Sequence, residues 1–253
     1  MRFSEVKELL DLKSKQFNSS YFIGTDPIQI PHQFSKKEDI EIIGLLIALI
    51  AWGNRKSIIT NGNKLVNIMG GEPHNFILDY DTRYLREIQF VHRTFNTIDL
   101  DFMLRALKEV YSKHGSLEHT FYPHSSYPGI KGRIVNFRET LLSVPHEKRT
   151  EKHLSNPLKK SAAKRINMYL RWMCRKDEHG VDFGIWSSIP TSELYLPLDV
   201  HAGNVARKLN LINRTQNDWE TLEELMSKLR KMDPLDPVKY DFALFGLGAF
   251  DHF

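Results

Sequence analysis

The segment HLSNPLKKSAAKRINMYLRWM, residues 153–173, carries the pattern that decides the fold of this chain. Its second half repeats apolar residues at helical spacing, and Pro157 suits the first turn of a helix. The same spacing recurs along the chain, whereas no stretch alternates apolar and polar residues as a half-buried strand does. The sequence therefore predicts an all-α fold.

Helix boundaries are predicted where capping residues flank the apolar stripes. Ser35 and Glu38 have the spacing of a capping box ahead of an apolar run that ends at Trp52. Further helices are expected within residues 57–71, 97–115, 200–209, 217–232 and 236–250, and residues 122–132 form the clearest loop.

A single carboxylate stands in the apolar stretch LYLPLDVHAGNVARKLNL, residues 194–211. Pro197 cannot continue a helix from upstream, and Asp199 is a preferred N-cap because its oxygens accept backbone N–H groups. A helix from about Val200 to Leu209 is therefore predicted. The local pattern leaves two roles open for Asp199, a structural cap and a catalytic acid.

Lys159 and Lys160 are predicted to lie in the first turn of a helix that begins near Pro157. Each cation there opposes the helix dipole at a cost of about 0.3–1 kcal/mol, whereas the exposed N–H groups attract anions such as phosphate. Neighbouring cations, Lys164 and Arg165 among them, favour the neutral and nucleophilic form of a lysine amine. Two interpretations remain open, a reactive phosphate-binding lysine and a solvent-facing basic helix start.

Composition narrows the class of protein. The chain has 253 residues, a net charge of +4 and one cysteine, Cys174, which excludes an intrachain disulfide and a four-cysteine zinc or iron–sulfur site. The longest apolar run, residues 42–52, is too short to span a membrane, and the N-terminus has no signal-peptide pattern. We expect a cytoplasmic protein with no membrane association, metal, cofactor or obligatory protein partner.

Positive charge is concentrated in one part of the chain. Residues 151–176 contain eight Lys or Arg against the single acid Glu151. Such a segment is either a solvated helix face or a surface that contacts anions or nucleic acid.

Two motifs together resemble the helix-hairpin-helix DNA glycosylase superfamily, which includes endonuclease III and the 8-oxoguanine glycosylases. LSNPLKKSA is similar to the hairpin that presents a lysine in that superfamily, and PLDVHAGNVARKL is similar to its later aspartate segment. The resemblance assigns Lys160 as the nucleophile, with Lys164 as the reserve choice, and Asp199 as the catalytic aspartate. It places Lys159 and His201 at the DNA backbone.

Two further segments extend the resemblance. LLIALIAWGNRKSIITNGNKL, residues 45–65, is similar to an early helix and turn of the superfamily, and KYDFALFGLG is similar to its closing helix. The turn assigns Asn54 to the gap left by an extruded base, and Arg55 and Lys56 to DNA phosphates. NPL replaces the hairpin glycines. Asp199 lies 39 positions after Lys160, a longer connection that resembles that of the archaeal 8-oxoguanine glycosylases. LRWM, PLDVH and DPVKYDFALF also resemble a family of uncharacterised bacterial proteins.

The resemblance implies two helical lobes with a cleft between them. Residues 36–174 would form a central lobe, and residues 1–35 and 175–253 a second lobe. The implied function is a DNA repair glycosylase with AP lyase activity on double-stranded DNA that carries a damaged base, such as an oxidised purine. An extruded base needs a stacking pocket, for which Trp52, Trp172, Trp186 and Phe253 are the candidates.

Two other functions remain open at this point. A protein of the same fold could bind DNA or RNA without catalysis, and an unrelated helical scaffold could bind an acidic protein partner. Salt-dependent binding of nucleic acid would distinguish the glycosylase and the non-catalytic binding protein from the helical scaffold. Lyase activity would distinguish the glycosylase from the non-catalytic binding protein.

Overall fold

The computed structural model describes residues 1–251 and 253, apart from the side chains of residues 85 and 86. It is 64% helix and 2% strand, which confirms the all-α prediction. The α-helices, in chain order, are α1 (Phe3–Phe17), α2 (Ser20–Thr25), α3 (Lys37–Ile50), α4 (Arg55–Ile68), α5 (Pro73–Asp79), α6 (Thr97–His114), α7 (Gly129–Leu142), α8 (Lys164–Cys174), α9 (Val200–Lys208), α10 (Trp219–Met232) and α11 (Tyr240–Ala249).

Shorter elements lie between these helices. A hairpin of two-residue strands, β1 (Val91–His92) and β2 (Phe95–Asn96), pairs antiparallel with His92 opposite Phe95. Short 3-10 helices cover Pro27–Gln29, Pro31–Gln33, Thr82–Arg86, Leu117–Phe121, Lys148–His153, Pro157–Lys159, Thr191–Glu193 and Pro237–Lys239.

The chain forms two compact units. The central unit is Thr25–Asn156, and the terminal unit combines Met1–Gly24 with Pro157–Phe253. This division differs from the predicted lobes, since residues 157–174 belong with the chain ends and residues 25–35 belong with the central segment. The reason is the packing of α8, whose cations pair with acids that lie further along the terminal unit.

The central unit is built around α3, which is buried from Ile40 to Ile50. Helices α4 and α5 pack on α3, and α6 packs on α5 and α7. Glu41, a fully buried acid on α3, accepts hydrogen bonds from the Tyr111 and Ser116 hydroxyls and from the Leu117 N–H. A buried carboxylate is tolerated when its oxygens are satisfied in this way. The predicted capping box is wrong, because Lys36 occupies the N-cap of α3 and its side chain makes no cap bond.

The terminal unit packs α11 against both α1 and α9. Its core holds large aromatic side chains, including Trp172, Trp219 and Tyr240. Asp218 caps α10 by accepting a hydrogen bond from the Thr221 N–H. No helix of the described residues is long and apolar enough to cross a bilayer.

Candidate active site

Helix α8 begins later than the sequence predicts. A 3-10 turn, Pro157–Lys159, is followed by Lys160 at φ +66° and by Ala163 at φ +47°, and α8 starts at Lys164. The left-handed conformation of Ala163 interrupts the helix, so Lys159 and Lys160 do not lie in the first turn of α8. Lys164 occupies that first position instead. The predicted start near Pro157 therefore lies seven residues before the observed start of this helix.

Lys159 and Lys160 are both exposed to solvent at this turn. The Lys160 side chain is 74% exposed, and its Nζ lies 3.6 Å from Oε1 of Glu220 on α10. Its carbonyl oxygen accepts a hydrogen bond from the Trp219 N–H, which ties the turn to the start of α10. An exposed ion pair of this kind contributes little to the stability of the fold, about 0–1 kcal/mol. Lys159 is exposed as well.

Asp199 caps a helix and also lies beside a lysine. It is the N-cap of α9, where its Oδ1 accepts a 2.8 Å hydrogen bond from the Ala202 N–H, and this confirms the predicted cap. Its Oδ2 lies 3.8 Å from Nζ of Lys164. The side chain of Asp199 is 13% exposed and that of Lys164 is 40% exposed. The structure thus brings Asp199 together with the reserve lysine.

This arrangement has a definite chemical capacity. One carboxylate oxygen is held by the helix, and the other faces an amine at ion-pair distance. The amine is accessible and stands at the first position of its own helix, where backbone N–H groups attract anions. Such a site can present a nucleophilic amine and a negative charge to one reacting carbon.

A third ionisable group of the site, Asp241, was missed by the sequence analysis. It is a buried residue in the first turn of α11, and its Oδ2 accepts a hydrogen bond from Nη1 of Arg171. Burial raises the pKa of Asp241 to about 7, although the Arg171 guanidinium opposes the rise. The charge of Asp199 raises this pKa further, and that of Lys164 lowers it. A lone acid in the apolar segment KYDFALFGLG was the available signal.

Arg171 on α8 and Arg175, the C-cap of α8, connect this acid to the rest of the terminal unit. Arg171 Nε and Arg175 Nη1 donate to the two oxygens of the fully buried Asp182, at 3.1 and 3.0 Å. Both guanidinium groups lie over the ring of Phe242, at 4.5 and 5.4 Å from its centroid. Two cations of the basic segment are therefore buried structural groups that fix α8, and with it Lys164, against α11. They are not part of a solvated face.

We predict that Asp241→Asn changes how stability depends on pH. The pKa of Asp241 is about 7 in the folded state, against an ordinary value of 3.8. The protonated group therefore contributes its full share of the free energy of unfolding below pH 3.8, and this share is lost as the pH rises through 7. Asn keeps an acceptor for Arg171 but does not titrate. As the pH rises from 5 to 8, the free energy of unfolding of the variant should therefore increase by on the order of 1–3 kcal/mol relative to that of the wild type. Thermal unfolding at each pH measures this difference.

Asp233→Asn is the matched control for that experiment. The pKa of Asp233 is lowered, against the effect of its burial, by a hydrogen bond from Lys239. Its contribution is lost only as the pH falls below the ordinary value, so its stability curve should run parallel to the wild type between pH 5 and 8. Parallel curves for Asp241→Asn as well would show that Asp241 is ionised throughout this range.

The predicted DNA-contacting turn lies in the central unit. Asn54 is exposed and is the N-cap of α4, where its Oδ1 accepts a 3.2 Å hydrogen bond from the Ser57 N–H. Arg55 and Lys56 are the first two residues of α4, half-buried and exposed respectively. In the terminal unit, His201 is exposed on α9, and its ring packs edge-on against Phe245 at 5.9 Å.

The four aromatic candidates have different surroundings. Trp172 and Trp186 are buried at 0% and 3% exposure, which corrects their assignment to a base pocket, because a ring inside the core has no free face for a base. Trp52 is half-buried and stacks on His153 at 6.0 Å. Phe253 is 40% exposed, and its ring lies 5.8 Å from Lys208 Nζ.

Comparison with known proteins gives one finding. A protein-family model described as "Protein of unknown function (DUF2400)" matches residues 26–250 of the chain. The matched range includes Lys164, Asp199 and Asp241. No curated protein and no solved structure matches the chain.

Proposed function

The chain belongs to the DUF2400 family, and we propose that it is a DNA glycosylase with AP lyase activity in which Lys164 is the nucleophile and Asp199 the catalytic aspartate. One observation carries the proposal, the 3.8 Å approach of Lys164 Nζ to Asp199 Oδ2 at the start of two helices. The substrate is double-stranded DNA with a damaged base, such as an oxidised purine. Lys164 replaces Lys160 in this role because Lys164 lies beside Asp199, whereas the exposed Lys160 lies beside Glu220.

The reaction needs both groups. Cleavage of the bond between base and sugar leaves positive charge on the sugar, which an adjacent carboxylate stabilises. The neutral amine of Lys164 forms a bond to C1′ as the C1′–N bond breaks, and the bonding electron pair leaves with the base, which takes up a proton. Opening of the sugar ring gives an imine between Nζ and C1′. Loss of a proton from C2′ then expels the 3′ phosphate.

The geometry supports a division of labour within Asp199. Its Oδ1 is held by the Ala202 N–H, so the carboxylate cannot rotate away while Oδ2 faces the amine. Oδ2, 3.8 Å from Nζ, is also an acceptor for the proton that Lys164 must lose before attack, through a shortened contact or one bridging water. Fixed orientation of this kind lowers the entropic cost of reaching the reactive arrangement.

Three further features agree with a protein that handles DNA. The order of segments along the chain is that of the superfamily, with the turn at Asn54 first, then the lysine, then the aspartate. The chain ends belong to one unit and the intervening segment to another. Cations occupy the first two positions of α4, where they oppose the helix dipole. A phosphate bound there would reverse that cost.

We predict that replacing both Arg55 and Lys56 by Ala weakens binding to undamaged DNA of any sequence. Removal of one or two phosphate contacts should lower the slope of log affinity against log salt by about one or two units. Fluorescence anisotropy with a labelled duplex at several salt concentrations measures this slope.

Arg83→Ala with Lys113→Ala provides a control of equal charge from the same unit. These two exposed cations already pair with Asp81 and Glu109, at 3.0 and 2.6 Å. The control should bind with the wild-type slope. An unchanged slope for the Arg55 and Lys56 variant would place the start of α4 away from DNA.

The deciding experiment is borohydride trapping. The wild-type protein is incubated with a panel of duplexes that carry oxidised purines, other damaged bases or an abasic site, and the imine is reduced to a stable covalent complex. Trapping with at least one lesion, together with release of the base, supports the proposal. Salt-dependent binding without any trapping would favour a non-catalytic binding protein. If the protein neither bound nor trapped any duplex, nucleic acid would be excluded as its partner.

A further inference from the structure

The segment 217–219, which leads into α10, contacts the start of α9. Nδ2 of Asn217 donates a 2.9 Å hydrogen bond to the carbonyl oxygen of Asp199. The same oxygen accepts a 2.9 Å hydrogen bond from the Gly203 N–H within α9. The side chain of Asp199 is held separately, because its Oδ1 accepts from the Ala202 N–H. With the main chain and one carboxylate oxygen of Asp199 both fixed, the position of its Oδ2 is fixed as well.

The same segment contacts the turn that precedes α8. Asp218 pairs with Ser161 in an isolated antiparallel bridge. The Trp219 N–H donates to the carbonyl oxygen of Lys160 at 2.9 Å. This turn leads directly into Lys164, the first residue of α8. The segment therefore connects the two helix starts whose side chains form the proposed active site.

An arginine of α9 holds Asn217 in the orientation that its bond to Asp199 needs. Nη2 of Arg207 donates to Oδ1 of Asn217 at 2.6 Å. Because a guanidinium can only donate, Oδ1 is the accepting end of the amide, and Nδ2 is left to donate to Asp199. Arg207 also donates to three carbonyl oxygens of the preceding loop, those of Arg214, Thr215 and Gln216, at 2.7, 2.9 and 3.2 Å. The guanidinium thus fixes the loop as well as the amide.

Gly203 leaves the space that the Asn217 amide occupies. It lies within α9, where glycine is less favourable than alanine. A Cβ at this position would lie 2.6 Å from Oδ1 and 2.8 Å from Nδ2 of Asn217. Glycine here therefore lowers the stability of the helix and admits the amide to the carbonyl oxygen of Asp199.

We propose that Asn217 is a positioning residue for the proposed reaction, which holds the Asp199 carboxylate at its distance from Lys164. This inference rests on the proposed function, because it concerns the same two reactive groups. Asn217 acts through the main chain of Asp199 and bonds to neither reactive group. Displacement of a reactive group by about 1 Å can slow a reaction about a hundredfold. Loss of the Asn217 bond should therefore slow base release, whereas DNA binding should persist because no charge is removed.

Single-turnover base release at saturating protein tests this role. Asn217→Ala removes the bond to Asp199, and Gly203→Ala displaces the Asn217 amide while it favours the helical state of α9. Each substitution should slow base release by about tenfold to a hundredfold. Duplex affinity, measured by fluorescence anisotropy, should equal that of the wild type. Gly203→Ala should melt near the wild-type temperature, so unfolding would not account for its slower reaction.

A double-mutant cycle separates positioning from a general loss of structure. If Asn217 acts only through the Asp199 carboxylate, adding Asn217→Ala to Asp199→Asn should change the rate of base release by no more than about twofold. Single effects that multiply in the double variant would overturn the positioning role, because Asn217 would then act independently of that carboxylate.

Asn213→Ala is the matched control. Asn213 is exposed in the same loop and donates to Glu224 through its main-chain N–H, which alanine retains. The control should release the base at the wild-type rate. Wild-type rates for Asn217→Ala and Gly203→Ala as well would overturn the role of Asn217 and leave the proposed function intact. A wild-type protein that releases no base from any duplex would overturn the proposed function, and this inference with it.

Discussion

Replacing Lys164 by Gln is expected to reduce borohydride trapping on lesion-bearing and abasic duplexes below detection. The imine requires a primary amine, and the amine of Lys164 stands 3.8 Å from Asp199. Loss of a nucleophile removes nearly the whole rate enhancement of enzymes that act through covalent intermediates. DNA binding in the absence of borohydride should be nearly unchanged, because the substitution removes one charge from a site that is 40% exposed.

Two companion variants make this result specific. Lys164→Arg keeps a cation beside Asp199 but has no amine that can form an imine, so it should fold and bind DNA normally and trap nothing. Lys160→Gln breaks only the exposed pair with Glu220 and should trap as the wild type does. The reverse outcome, trapping by Lys164→Gln and none by Lys160→Gln, would return the nucleophile to Lys160. It would also require the 157–163 turn to rearrange on DNA.

Long amphipathic helices were predictable because their signals are local. The stripe and the glycine stop of α6 correspond to an observed helix that ends at Gly115 in the left-handed conformation. Asp199 was likewise predictable as a cap, since this preferred capping residue stands two positions after a proline. Each of these features depends on residues within one or two turns, which the sequence displays directly.

The start of α8 was not predictable in the same way. Its interruption depends on Lys160 and Ala163 at positive φ, and neither residue type favours that conformation. The bonds that hold the turn come from the distant α10, through the Trp219 N–H and the Glu220 carboxylate. Local propensity therefore favoured an earlier helix start, and tertiary contacts prevailed.

Pairing over long distances was also hidden. Arg171 and Asp241 are 70 residues apart, and a helical pattern does not reveal which acid meets which base. The hairpin of β1 and β2 has strands of two residues each, too short for an alternating pattern. The candidate site was thus only partly predictable from the sequence. Asp199 followed from the sequence, and the choice between two lysines followed only from the geometry.

Asp199→Asn is expected to preserve the fold and to reduce turnover sharply. Asn caps helices nearly as well as Asp, so the bond from the Ala202 N–H and the start of α9 should survive. What disappears is the negative charge on the oxygen that faces Lys164. Loss of one preorganised electrostatic group in an active site costs roughly 10²–10³-fold in rate, so base release in single-turnover experiments should fall by about that factor.

The same variant separates the two roles of Asp199. Its melting temperature should stay within a few degrees of the wild type, whereas Asp199→Ala, which lacks the cap as well, should lose about 0.5–2 kcal/mol of stability. DNA affinity should be retained or slightly increased in Asp199→Asn, because one negative charge near the backbone is removed. If Asp199→Asn released the base at the wild-type rate, Asp199 would be a helix cap alone, and the carboxylate for the reaction would have to be sought at Asp241.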